Sequence, residues 1–222
     1  MDKKTFEKAF SEKRMEKYFK RYADMDKAII HYQCNIELSE AFYPCINIFE
    51  VLLRNSINQE LMKSFGREDW YVRFASIPGL TALNKYVTQA NKQIAGRKEY
   101  SSSPKIIAEL TLGFWVSLFN VEYERILWKD LRKVFPNMPK KDRQRKKIAS
   151  PLNRFRTLRN RIFHHEPISW NIEKIKQIHT EILIVLTWMN IDIAAWVTTF
   201  DRFDNVCKFV ETKLHNIASN NN

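Results

Sequence analysis

The chain has 222 residues, 45% of them hydrophobic, and a formal net charge of +12. That size suits one domain, or one and a half, with enough apolar residues for a sizeable core. The basic excess points to polyanionic partners, nucleic acid first and anionic membrane second, and the three cysteines (Cys34, Cys45, Cys207), odd in number and without CxxC spacing, read as buried thiols of a reducing compartment and not as zinc ligands.

The N-terminus, Met1-Asp2-Lys3-Lys4, carries no apolar run, so no signal peptide is expected and the protein is placed in the cytoplasm. Only four glycines occur, where average usage would give about fifteen; few tight turns and long helices follow. Residues 3–22 place Phe6, Phe10, Met15 and Phe19 at helical intervals, which predicts one amphipathic helix, with residues 1–24 a peripheral N-terminal element. Residues 37–64 carry the strongest helical periodicity (Leu38, Phe42, Ile46, Phe49, Leu53, Ile57, Leu61), with Gly66 where a stop is expected. Ile77-Pro78-Gly79 is a turn, and residues 80–96 form a helix ending at Gly96. Ser101-Ser102-Ser103-Pro104 supplies a loop, a cap and a helix-starting proline. A hydrophobic stretch over 106–131 follows, and Pro136 and Pro139 break it.

Residues 140–163 predict the next helix, ended by Pro167; 171–189 and 192–209 predict two more, and the tail 219–222 is expected to fray. The most membrane-like segment, 182–197, is interrupted by Asn190 and Asp192 and preceded by Glu181, so it reads as a buried helix and no membrane span is expected. No segment alternates as a strand, no repeat appears and no linker divides the chain. The expectation is one all-α domain over residues 1–222.

From Lys140 to Arg161 there are ten lysines and arginines against one acid, Asp142. Alternating salt bridges cannot neutralise such a run, and like charges at helical spacing repel unless an anion is bound. Lys140, Lys141, Arg143, Arg145, Lys146, Lys147, Arg154 and Arg156 are therefore the expected nucleic-acid contacts. Charge alone does not distinguish RNA from DNA, and phosphate contacts carry no sequence information directly.

The run ends in Arg159-Asn160-Arg161-Ile162-Phe163-His164-His165-Glu166-Pro167. An arginine grips a phosphate with two prongs, and a histidine moves a proton near neutral pH. In RNA the nucleophile is the substrate's own 2′-hydroxyl, so these two side chains suffice to activate it and stabilise charge on phosphorus without a metal or other cofactor. Arg156, Asn160 and His164 share a helix face, whereas Arg159 and His164, five residues apart, lie about 140° apart around an ideal helix. Either the helix ends near His164, or two copies of the segment build one cleft across a two-fold axis. The competing reading is that both cations only complement a helix C-terminus.

The stretch Leu158-Arg159-Asn160-Arg161-Ile162-Phe163-His164-His165-Glu166-Pro167-Ile168 resembles the signature of the Abi-like family, abortive-infection proteins of the AbiD/AbiF type, and with it the arginine–polar–histidine motif of HEPN domains. Phe49-Glu50-Val51-Leu52-Leu53-Arg54 and Glu109-Leu110-Thr111-Leu112-Gly113-Phe114-Trp115 resemble two further segments of that family, so that the likeness covers roughly residues 25–200. The resemblance implies a HEPN-like helical bundle with additional N-terminal and C-terminal helices. It also implies a homodimer and a metal-independent RNase of bacterial anti-phage defence, of the abortive-infection or toxin–antitoxin type. Carried over, Arg159 holds the phosphate, Asn160 orients the site and His164, with His165 beside it, is the acid/base. Glu166 stands where HEPN toxins paired with nucleotidyltransferases often carry a tyrosine, so regulation by tyrosine modification is not expected.

Three readings follow: an endoribonuclease acting by 2′-hydroxyl attack; an RNA-binding protein in a stable complex with a structured small non-coding RNA, with no or only conditional cleavage; and a protein that docks other proteins on its helical surface. Among the remaining residues, Glu50 and Arg54 are expected to pair along one helix, and His31, His179 and His215 to be structural. Trp115, Trp128, Trp188 and Trp196 are expected in the core, and Trp170, which follows the motif closely, is a candidate to line its cleft, against the alternative of a structural role.

Overall fold

A computed structural model describes residues 2–219. Twelve α-helices and five short 3-10 segments account for its regular structure, with no strand among the described residues. The all-α expectation holds. The chain divides into two compact units: one built from the chain up to Pro44, Asn160–Gln177 and the chain from Asp201, the other from Cys45–Arg159 and Ile178–Phe200.

The first unit begins with α1 (Lys3–Phe10) and α2 (Glu12–Arg21), two helices where the periodicity predicts one. The break is at Ser11, whose φ of 66° ends α1 while its hydroxyl accepts the Arg14 N–H that starts α2. Nor is this region peripheral: Phe6, Met15, Tyr18 and Tyr22 are buried together with Ala28 and Ile217, from α3 (Met25–Ala41) and α12 (Phe203–Ser219). α12 closes on Phe42 through Phe203, with ring centroids 4.4 Å apart. Ser219 ends α12; the rest of the expected frayed tail, 220–222, lies outside the described residues.

The 37–64 periodicity is carried by two helices. α3 stops at Ala41 and α4 runs Tyr43–Phe65, because Pro44 has no N–H and suits only a first helical turn. At the far end the expected stop is present: Gly66 adopts φ 67° and its N–H bonds to Met62 O. In the second unit Phe49, Leu53, Ile57 and Leu61 line the buried stripe of α4. After the Pro78-Gly79 turn the 80–96 segment is a 3-10 turn, Thr81–Leu83, and then α5 (Asn84–Gly96), so the helix starts later than predicted and ends at Gly96 as predicted. The 106–131 stretch is three helices, α6 (Ser103–Glu109), α7 (Leu112–Ser117) and α8 (Glu124–Leu131). Their aromatic core is Trp70, Phe74, Phe114 and Trp115, with the Trp70 and Trp115 indole N–H groups bonded to Asn58 Oδ1 and Leu110 O.

The charged run splits as well. Lys140–Asp142 is a 3-10 turn and α9 runs Arg145–Phe163, with Pro151 inside it. α10 (Ile172–Met189) matches expectation, whereas 192–209 is α11 (Ile191–Thr198) and the start of α12, separated near Asp201. No helix among the described residues is long and apolar enough to cross a membrane.

Candidate functional site

α9 buries Ile148, Leu152, Phe155 and Leu158, an i, i+4, i+7, i+10 stripe that turns its charged residues outward. Phe155 meets Phe49 of α4 with ring centroids 4.4 Å apart. One turn further along α9, Arg159 donates from Nε to Glu50 Oε1 at 2.6 Å. Both side chains are about three-quarters shielded, 28% and 26% exposed, so the pair is poorly screened by solvent. The expected Glu50–Arg54 pair does not form. Glu50 is taken by Arg159, and Arg54 donates instead to the neighbouring Asn55 Oδ1.

Glu50 is the site residue that sequence reasoning undervalued. Its signal was an acid set among Phe49, Val51 and Leu52, where an unpaired carboxylate would be costly.

Arg159 is the last residue of the second unit and Asn160 the first of the next stretch of the first. α9 stays helical to Phe163 and ends in a Schellman turn: Glu166 N–H bonds to Arg161 O at 2.8 Å and His165 N–H to Ile162 O at 3.0 Å. The helix therefore stops four residues before Pro167. The left-handed position usually given to glycine is held here by His165, with φ 56°. Its carbonyl accepts Arg14 Nη1 at 3.2 Å, which ties the corner to α2. Arg161 bonds to Pro167 O and pairs with Glu166 at 3.4 Å, so it braces the turn. Asn35, buried on α3, accepts the N–H groups of Ile168 and Ser169 and fixes the chain leaving the corner. The side chains of Asn160, His164 and His165 are exposed. An amide, two imidazoles and a positioned guanidinium thus fall within seven residues, on a corner held by backbone bonds on both sides.

The basic residues fall into two groups. Arg143 is half-buried and donates to Pro136 O and Met138 O, and Arg145 bonds to Glu124 and to Phe119 O, so both staple loops. Arg154 makes a two-pronged pair with Glu181 at 2.7 and 2.9 Å, and Lys147 pairs with Asp142 at 2.5 Å. Lys140, Lys141 and Lys146 are exposed, Arg156 is partly so, and none of the four has an ion-pair partner among the described residues.

The three cysteines are buried and form no disulfide, and Cys45 Sγ lies 3.7 Å from His179 Nε2. His31 and His179 are buried, and His215 is exposed on α12. Trp115 is in the core as expected, but Trp196 is 51% exposed, and Trp128 and Trp188 are only partly buried. Trp170 packs on Tyr18 and His31, with Lys17 Nζ 4.4 Å from its ring centre.

Together these features define an all-α protein whose basic helix ends in an arginine–histidine corner. The chain belongs to the Abi-like protein family, whose sequence model matches residues 2–171. The match takes in α1 and α2, Glu50 and the whole corner, and stops at the start of α10. Among curated proteins and solved structures, none matches the chain.

Proposed function

We propose that this protein is an endoribonuclease of abortive-infection defence, with the α9 corner as its active site and no metal required. The 2′-oxygen of a ribose attacks the adjacent phosphorus while His164 removes its proton. The bond from phosphorus to the 5′-oxygen breaks, and that oxygen takes up a proton. The products are a 2′,3′-cyclic phosphate and a 5′-hydroxyl. Arg159 stabilises the extra charge on the phosphoryl oxygens, Glu50 aims its guanidinium, and Asn160 orients the bound strand. The observation that carries this reading is the Arg159–Glu50 pair at 2.6 Å: a guanidinium is positioned by a carboxylate on another helix, five residues before an exposed histidine. Family membership supports the defence role.

Because α9 remains regular to Phe163, Arg159 and His164 project about 140° apart along one helix. This favours a homodimer in which each cleft takes the arginine of one copy and the histidine of the other. It also favours, as the second reading, a protein that binds a structured small RNA without cutting it. Gel-based cleavage of total RNA, with and without EDTA, combined with light scattering, tests all three points. The expected outcome is EDTA-resistant cutting by a dimer that His164→Ala abolishes while RNA affinity is largely kept. Cutting by the His164 variant at the wild-type rate sinks the mechanism, and binding by every form with no cutting by any selects the second reading.

A further inference from the structure

A cleft of about 560 Å³ runs between α9 and α10, within the second unit. Its volume lies in the range of small-ligand sites, and its walls combine two chemistries. Trp188, Ile184, Val185 and Pro151 supply its apolar lining, and Lys146 and Lys147 also border it. The lining also includes Arg154 and Glu181, which neutralise each other, and Lys147 pairs with Asp142, so Lys146 is the cation of the lining with no ion-pair partner among the described residues. Trp188 is partly buried, and its indole has neither a hydrogen bond nor a ring contact among the described residues. Trp70, Trp115 and Trp170, by contrast, each carry such a contact. Pro151 adds a polar feature. It has no N–H, so the carbonyl of Lys147 lacks its helical donor four residues on, and both residues line the cleft.

We propose that this cleft holds one unpaired nucleotide of single-stranded RNA, with the base against Trp188 and a flanking phosphate on Lys146. An aromatic face flanked by cations is what stacking recognition of single strands requires. The Lys147 carbonyl is an acceptor for an amino group on a base edge. A duplex does not fit this chemistry, because its base faces are covered by their neighbours. An apolar peptide would leave Lys146 unanswered. The inference rests on the RNA-binding reading above and locates a second contact on the basic helix, away from the corner where the strand is cut.

The test uses the full chain and a ~10-nucleotide 2′-O-methyl oligoadenylate, a length within the usual site sizes for single strands; methylation removes the nucleophile, so binding is read without cutting. A duplex of the same length is the comparison. Trp188→Ala is expected to weaken single-strand affinity about 5- to 100-fold and to leave duplex affinity unchanged. Trp188→Phe is expected to restore most of it, and Lys146→Gln to lower the salt slope by roughly 0.7. Wild-type affinity in the Trp188→Ala variant overturns the cleft proposal while the RNA-binding reading stands. Equal weakening for both probes, without rescue by Trp188→Phe, overturns it as a structural effect. Failure of the wild-type chain to bind either probe overturns the RNA-binding reading, and the cleft proposal with it.

Discussion

Glu50 and Arg159 are 109 residues apart in the chain and 2.6 Å apart in space, held opposite each other by the Phe49–Phe155 contact one turn away. A carboxylate on another helix restricts a side chain that would otherwise sample many rotamers. Glu50 is accordingly a positioning residue. Arg159→Ala is expected to cost about 10²–10³-fold in the cleavage rate, the effect typical of removing one preorganised donor. Glu50→Ala should cost less, and should act on the single-turnover rate more than on RNA affinity. The double variant should cut no more slowly than Arg159→Ala alone, since both changes remove one device. Additive effects on the rate would show that Glu50 acts independently of Arg159.

The division of the basic residues gives a second expectation. Exchanging Lys140, Lys141, Lys146 and Arg156 for glutamine should flatten the dependence of log affinity on log salt, by about 0.7 for each single-strand phosphate no longer neutralised. Thermal stability should hardly change. Arg145→Gln should do the opposite. Its side chain is only 16% exposed and serves Glu124 and Phe119 O, so its removal should cost roughly 1–3 kcal/mol and lower Tm. Calorimetry and binding at several salt concentrations separate the two groups; an unchanged salt slope would remove the four residues from the binding surface.

His165 occupies a left-handed position with φ 56°, which costs an L-residue roughly 1 kcal/mol. His165→Gly should raise stability by about that amount, whereas the β-branched His165→Val should lower it. Chemical denaturation measures both. If His165→Gly keeps full cutting activity, the acid/base is His164.

His31 sets a pH dependence. It is buried on α3, its Nδ1 lies 3.1 Å from Tyr22 Oη, and its Nε2 has no hydrogen-bond partner. Burial, reinforced by the Arg21 and Lys17 charges, pushes its pKa down from 6.5 to about 4. On acidification the unfolded chain therefore takes up a proton before the native one does. The contribution of His31 to stability is intact above pH ~6.5 and declines as pH falls toward ~4, by about 3 kcal/mol in all. Urea titrations between these limits should show the decline, and His31→Gln should flatten it; an equally steep decline in that variant would assign it to other groups.

What the sequence by itself determined was local. The absence of strands among the described residues, the stop at Gly66, the Pro78-Gly79 turn and the helix ending at Gly96 follow from backbone preferences and apolar periodicity acting over a few residues. So does the placing of Arg159 to His165 at the end of a basic helix. Helix breaks at Ser11 and Phe42 were harder to read, since apolar spacing continues across them while one backbone angle or one proline interrupts the hydrogen bonds. Only tertiary structure decided which charges remain available. Arg143, Arg145 and Arg154 look equivalent to Lys146 in the sequence, but packing brings carbonyls and carboxylates to the first three. It also decided that Glu50 meets Arg159 rather than Arg54, and that Trp188 borders a cleft. A residue's type states what bonds it can make; which of them it makes depends on the face it shares with residues distant in the chain.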